Sequence, residues 1–212
     1  VKSGLADRPD VSQYRLAIHL VLALTILAAL FYLALTLLIQ PARRVRVRRS
    51  LFGHAWLAVG AVLLTIISGA FVAGTGAGLI YNSFPLMGGR VVPAEYAHLA
   101  PFWLNWFENP AAIQFNHRLF AAATFVLIVA LWWRCRRASL NKAALVAVTV
   151  LITVVCVQVF LGIATLLTNV PLALAATHQA VAVLLLLSAL GTAFTLRPRW
   201  KNQGYALNAL PA

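Results

Sequence analysis

The sequence predicts an all-α, polytopic membrane protein with five transmembrane helices. Three observations carry that expectation. The 212 residues are 62% hydrophobic and only 10% charged, with a mean hydropathy of +0.88, which lies outside the range of soluble domains. The apolar residues gather into five runs of about 20 or more, the length that crosses roughly 30 Å of hydrocarbon as a helix. Basic residues fall in the links between runs, so a formal charge of +13 reads as membrane topology and nucleic acid is excluded as a partner.

In order, the runs are 14 to 39, 53 to 73, 112 to 133, 143 to 168 and 172 to 196. Backbone groups cannot stay unpaired in lipid, so each is expected to be a helix. The links are "QPARRVRVRRS", a long segment from Gly74 to Pro110, "RCRRASLNK", and a short turn at Asn169, Val170 and Pro171. With alternating sides, Arg43, Arg44, Arg46, Arg48, Arg49, Arg134, Arg136, Arg137, Lys142, Arg197, Arg199 and Lys201 share one side, and all four acids (Asp7, Asp10, Glu95, Glu108) lie on the other. The positive-inside rule makes the basic side cytoplasmic and the N-terminus external, and the same cations can touch anionic lipid headgroups. Cys135 and Cys156 are too few and too scattered for a disulfide framework.

The external segment is too long for a simple turn and is expected to fold over the membrane face. Trp103, Trp106 and Phe107 suit an interfacial aromatic belt, whereas the segment's length suits a lid over a site beneath.

The first, third and fifth runs enter from the external side and meet His19, His117 and His178 after about five, five and six residues. At 1.5 Å per residue all three imidazoles lie roughly 8 to 9 Å below the boundary. A single histidine in an apolar helix is ordinarily an interhelical hydrogen-bonding group. Three at one depth, each costly to desolvate, point to a metal. The spans lack Asp, Glu and a suitable cysteine set, which disfavours zinc or a carboxylate di-iron centre. Haem suits better, because two imidazoles on separate helices can clasp its iron from opposite faces. His54, beside the basic link, is expected at the cytoplasmic interface, and His98 in the external segment is a weak ligand candidate.

An internal repeat suggests the pairing. "DVSQYRLAIH" ending at His19 and "NVPLALAATH" ending at His178 each place a valine eight residues before the histidine, with Leu-Ala pairs one position out of register. His178 then pairs with His117 inside one half, and the partner of His19 belongs to another. The expected organisation is 1–50 as the remnant of an N-terminal half, 51–196 as a four-helix haem b bundle with an external loop 74–111, and 197–212 as a cytoplasmic tail. The opening "VKSGLADRPDVSQYR", without an initiator Met, reads as a turn leaving an earlier helix.

The segments "SGLADRPDVSQYRLAIHL", "GAFVAGTGAGLIYNSFPLMGG", "WFENPAAIQFNHR" and "LGIATLLTNVPLALAATHQ" resemble the haem A synthase family, membrane enzymes that serve cytochrome c oxidase assembly. The resemblance implies eight helices in two four-helix halves, of which this chain carries the last five. It implies that His117 and His178 are the axial ligands of a haem b and that His19 belongs to a substrate haem site in the other half. It also implies an oxidoreductase that converts a methyl group of haem O to a formyl by successive hydroxylation and loss of water, with haem b as electron relay. The family's catalytic glutamate has no counterpart in this chain, which alone is expected to be inactive. Some members carry a cysteine pair in each external loop; Gly74 to Pro110 has none.

Around the pair, Arg118 is expected to meet haem propionates or to snorkel to headgroups, while Asn116 and Gln179 are candidates for orienting the imidazoles or for interhelical bonding; Gln158 has the same two options. The implied partners are haem O, membrane lipid, an electron acceptor and haem O synthase, with a homo-oligomer left open. The expected location is a bacterial inner membrane. Two other readings stand beside this one: a b-type electron-transfer cytochrome without catalytic activity, and a haem-free assembly protein using polar residues as helix glue.

Overall fold

The computed structural model describes residues 12–39 and 49–198. Five long helices account for most of them: α1 (Gln13–Leu38), α2 (Arg49–Gly74), α4 (Pro110–Arg136), α5 (Lys142–Leu167) and α6 (Leu172–Thr195), with one short turn of helix, α3 (Asn105–Glu108), in the long connection. At 24 to 27 residues each, the long helices run about 36 to 40 Å, enough to cross a bilayer core and emerge at both faces. All five are apolar enough to do so, as the sequence predicts. The expected helix end before residue 12, the arginines at 43, 44, 46 and 48, and the tail cations Arg199 and Lys201 lie outside the described residues.

Boundaries follow local chemistry. Asn109 caps α4, its Oδ1 accepting from the amides of Ala111 and Ala112, and Pro110 occupies the first helical position where its missing N–H costs nothing. Asn141 caps α5 through Ala144 N at 2.8 Å. Between α5 and α6 the chain reverses through Asn169 (φ 60°) and Val170 (φ 58°), a left-handed pair unusual for a β-branched residue. The turn is held by Val170 N donating to Thr165 O at 2.8 Å, and by Asn82 Nδ2, which donates to Leu166 O at 2.9 Å.

Helices α2, α4, α5 and α6 form a ring in which each packs on its two neighbours, so α4 and α6 stand across the bundle from one another. The packed core occupies the half of the ring away from the long connection: Leu51, Ala55, Ala58 and Val62 of α2 meet Ile128 and Leu131 of α4, Val148 and Leu151 of α5, and Leu186 and Leu190 of α6. Helix α1 lies outside, against α2 and α6, touching them through a stripe that includes Ala17, Leu24, Tyr32 and the edge-on Tyr32–Phe194 pair. It comes close at Gly74, where a side-chain carbon would sit 2.6 Å from Gln13 Cα. Gln13 Nε2 and Tyr14 OH both donate to the Glu108 carboxylate, tying α1 to α3. A groove of about 530 Å³ opens between α1, α2 and α6, lined by apolar residues such as Trp56 and Leu63, and none of the histidines lines it.

Candidate functional site

Above the packed core the ring changes character. No residue is buried from 63 to 69, 115 to 123, 156 to 164 or 171 to 184, whereas Val62, Thr124, Val155 and Leu185 below and Ala70, Gln114 and Thr165 above are. Four helices therefore share a layer, about 15 Å of helix measured from Gln114 to Thr124, that their own side chains leave poorly filled. His117 and His178 stand in this layer, seven residues into α4 and six into α6, on the two helices that face each other across the ring. Each is half-buried.

Each imidazole lies against a glycine of a neighbouring helix. A Cβ on Gly69 of α2 would meet His117 Cε1 at 3.2 Å, and one on Gly162 of α5 would meet His178 Cε1 at 2.9 Å. His117 has a defined partner: its Nδ1 lies 2.8 Å from Ser68 Oγ. Ser68 already donates to Thr65 O at 2.7 Å, so its oxygen accepts from His117 Nδ1–H and the Nε2 lone pair stays free. One turn lower, Thr65 and Thr124 bond across the same α2–α4 seam at 2.9 Å. His178 differs, with its Nδ1 buried and without a partner and its Nε2 3.4 Å from Gln158 Nε2.

The other expected residues fall elsewhere. His19 is exposed on α1, about 140° around the helix from Leu24, so it faces away from the ring. No hydrogen bond joins Asn116 or Gln179, the candidates for orienting the imidazoles or for interhelical bonding, to either ring: Asn116 Oδ1 accepts from Tyr96 OH at 3.1 Å and Gln179 is exposed. The reason is helical geometry, since each lies next to a histidine in sequence and its side chain points about 100° away from the imidazole on the same helix. Arg118 reaches back to the loop instead, donating to Tyr81 O at 2.8 Å and Ser83 O at 2.9 Å, with Gln114 adding a third bond to Tyr81 O at 3.0 Å. His54, expected at the interface beside the basic link, also ties helices together: it donates to Leu127 O at 3.0 Å and accepts from Arg134, which also donates to Ser50.

The long connection folds onto the end of the ring nearest the histidines. Its hub is the buried Asn109, whose amide meets the carbonyls of Glu95 and Tyr96 and the Oδ1 of Asn105. Trp103 and Trp106 remain exposed, as a belt requires, while Gln114, Asn116 and Arg118 pin the segment above the open layer, as a cover requires. His98 is exposed, its ring donating to Glu95 O. Tyr81 OH donates to the Glu95 carboxylate, which holds Glu95 below the usual glutamate range, helped by Arg90 and His98, and pushes the Tyr81 hydroxyl up.

Among the described residues no three His, Cys, Asp or Glu side chains converge, so a bare ion would find only two imidazoles. A pair of imidazoles across a bundle suits an iron that brings its own equatorial donors, and the glycines and unfilled layer suit a flat macrocycle. Ser68, Gly69 and Gly162 are the site residues that sequence reasoning missed. Counting depth would have placed the two glycines level with the histidines, because Gly69 and Gly162 each lie five residues from the loop end of their helix, but not which ring each one meets.

The fold thus defines a polytopic helical-bundle membrane protein with two histidines on opposed helices toward the end of the bundle that carries the long connection. Residues 1–190 match the family model described as cytochrome oxidase assembly protein, COX15-CtaA. Similar proteins include a heme A synthase of Nitrosospira multiformis, 46% identical over 200 residues (93% of this chain, 56% of that protein), and heme A synthase COX15 of Bos taurus, 43% identical over 200 residues (90% of this chain, 48% of that protein). The chain belongs to this family, that of the haem A synthases. It spans about half the length of the curated relatives it matches.

Proposed function

We propose that this chain forms the haem-binding, electron-relaying half of a haem A synthase, with His117 and His178 as the two axial ligands of a haem b. The observation that supports this most is the placement of the two imidazoles on opposed helices of one ring, in the layer the helices do not fill. The group would supply one-electron transfer without an open coordination site, which fits a relay better than oxygen activation. What the chain's own residues do is more specific. Ser68 fixes the His117 tautomer with the proton on Nδ1 and leaves Nε2 as the free donor, and Gly69 and Gly162 leave room beside each ring. The connection 75–109, clamped by Arg118, Gln114 and Asn116, keeps water from the layer below.

In the whole protein, the substrate is haem O, and its methyl group is oxidised to the formyl of haem A. His19, on the outer face of α1, would serve that second site, which lies beyond this ring. The basic end, with Arg134, Arg136, Arg137 and Lys142, is the cytoplasmic one in a bacterial inner membrane, which puts the histidine layer toward the outside.

The test has two arms. Purified with haem supplied, the chain shows the Soret and low-spin bands of a bis-imidazole haem; absence of any Soret band removes this reading and the b-type cytochrome reading together. Expressed with its upstream gene sequence and fed haem O, it yields the formyl product by chromatography. A haem-loaded protein that leaves haem O unchanged is an electron-transfer cytochrome instead.

A further inference from the structure

The two imidazoles do not have equal surroundings. His117 Nδ1 donates to a serine oxygen that is itself locked to the backbone of its own helix, so the ring is oriented before any ligand arrives. His178 Nδ1 is buried with no partner, and the polar groups near its ring both belong to Gln158, the side-chain amide at Nε2 and the backbone carbonyl. Whichever way the Gln158 amide is turned, it occupies the atom through which an axial ligand binds iron, and its own Oε1 also lacks a partner. At 3.4 Å the contact is long, so it is a hold that can be released.

We propose that Ser68 and Gln158 make these ligands functionally unequal: Ser68 is a positioning residue that presents His117 Nε2 to iron and strengthens it as a donor, and Gln158 guards His178 Nε2 until iron displaces it. The inference rests on the haem reading above. Two consequences follow from hydrogen-bond chemistry. The Nδ1–H···Oγ bond pushes electron density toward Nε2 and stabilises ferric over ferrous iron. The Gln158 amide would compete with iron for His178 Nε2, so His117 Nε2, which has no such competitor, would be the first ligand offered, and His178 would be offered only when Gln158 swings aside. The guard also keeps a polar atom from lying bare in the layer while the site is empty.

The experiment is a haem b titration into the purified chain in detergent, followed by absorption, electron paramagnetic resonance and redox titration. Ser68→Ala keeps the low-spin spectrum, binds haem about tenfold more weakly, and shifts the midpoint potential upward by about 59 mV if the ferric preference falls tenfold. Ser68→Thr, which keeps the acceptor oxygen, restores the potential. Gln158→Leu takes up haem faster and about tenfold more tightly, because the competing hydrogen bond is gone, and leaves the potential where it was. An unmoved potential in Ser68→Ala, if its titration shows it folded and loaded, overturns the role of Ser68; if it does not fold, a Ser68→Thr potential that departs from wild type does so. Weaker or unchanged uptake by Gln158→Leu overturns the guard. Failure of the wild-type chain to bind haem sinks the haem reading itself, whereas normal wild-type binding with inert variants sinks only this proposal.

Discussion

Replacing Gly162 by alanine places a methyl group against the His178 ring. Built on the present backbone, its Cβ lies 2.9 Å from Cε1, 3.5 Å from Nε2 and 3.6 Å from Nδ1. Carbon atoms settle at roughly 3.5 to 4.0 Å, so the ring must retreat by about 0.6 to 1 Å or rotate. A ligand has to be held within about 0.5 Å of its working position. The displacement therefore exceeds the tolerance, and the expected loss is about 10- to 100-fold in haem affinity, or about 1.4 to 2.7 kcal/mol. Gly191→Ala is the control, since it adds a methyl to the same helix as His178 with nothing within 4 Å, and alanine gains up to about 1 kcal/mol of helix propensity over glycine. The assay is a haem titration followed at the Soret band, with size-exclusion chromatography and circular dichroism to show that both variants are folded. If Gly162→Ala binds haem as tightly as Gly191→Ala, with an unchanged low-spin spectrum, the reasoning from the glycine cradle is wrong.

Other outcomes follow from the same geometry. Asn109→Ala removes a helix cap worth about 1 kcal/mol and leaves buried carbonyls without a donor at about 1 to 3 kcal/mol; limited proteolysis should then cut within residues 75–109 much faster than in the wild type. The Tyr81–Glu95 tie contributes to loop order above the ordinary glutamate range, because the Glu95 pKa is lowered on folding, and is lost as pH falls through that lowered value. The raised Tyr81 pKa sets the opposite limit, with the contribution present below the ordinary tyrosine range and lost as pH rises through the raised value. Hydrogen exchange across the loop should show a protection plateau between the two limits, and Tyr81→Phe should flatten it. His54→Ala breaks the bonds to Leu127 and Arg134, lowering thermal stability by about 1 to 3 kcal/mol while the haem spectrum stays intact.

Helix number and boundaries were legible because the bilayer imposes a length that composition alone reveals. The predicted spans 112 to 133 and 172 to 196 match Pro110–Arg136 and Leu172–Thr195 within three residues at each end. The depth of His117 and His178 was legible for the same reason, being a count from a boundary. Rotation about each helix axis was not. Every face of these helices is apolar, so no polar stripe marks which side meets a neighbour, and the sequence left open whether Asn116 and Gln179 orient the imidazoles or bond between helices. Arg118 was hidden by a different cause: its partners are the carbonyls of Tyr81 and Ser83, which have no signature in the sequence. Ser68 and Gly69 looked like ordinary small residues of an apolar span, and only the three-dimensional pairing of α2 with α4 shows which ring they serve.

The most direct measurement is the low-temperature electron paramagnetic resonance spectrum of the haem-loaded chain, taken for wild type, His117→Ala and His178→Ala. Gripping of one porphyrin by both rings predicts a low-spin ferric signal in the wild type that each single substitution converts to high spin or abolishes. A low-spin signal that persists unchanged in either variant would show that the iron is held some other way.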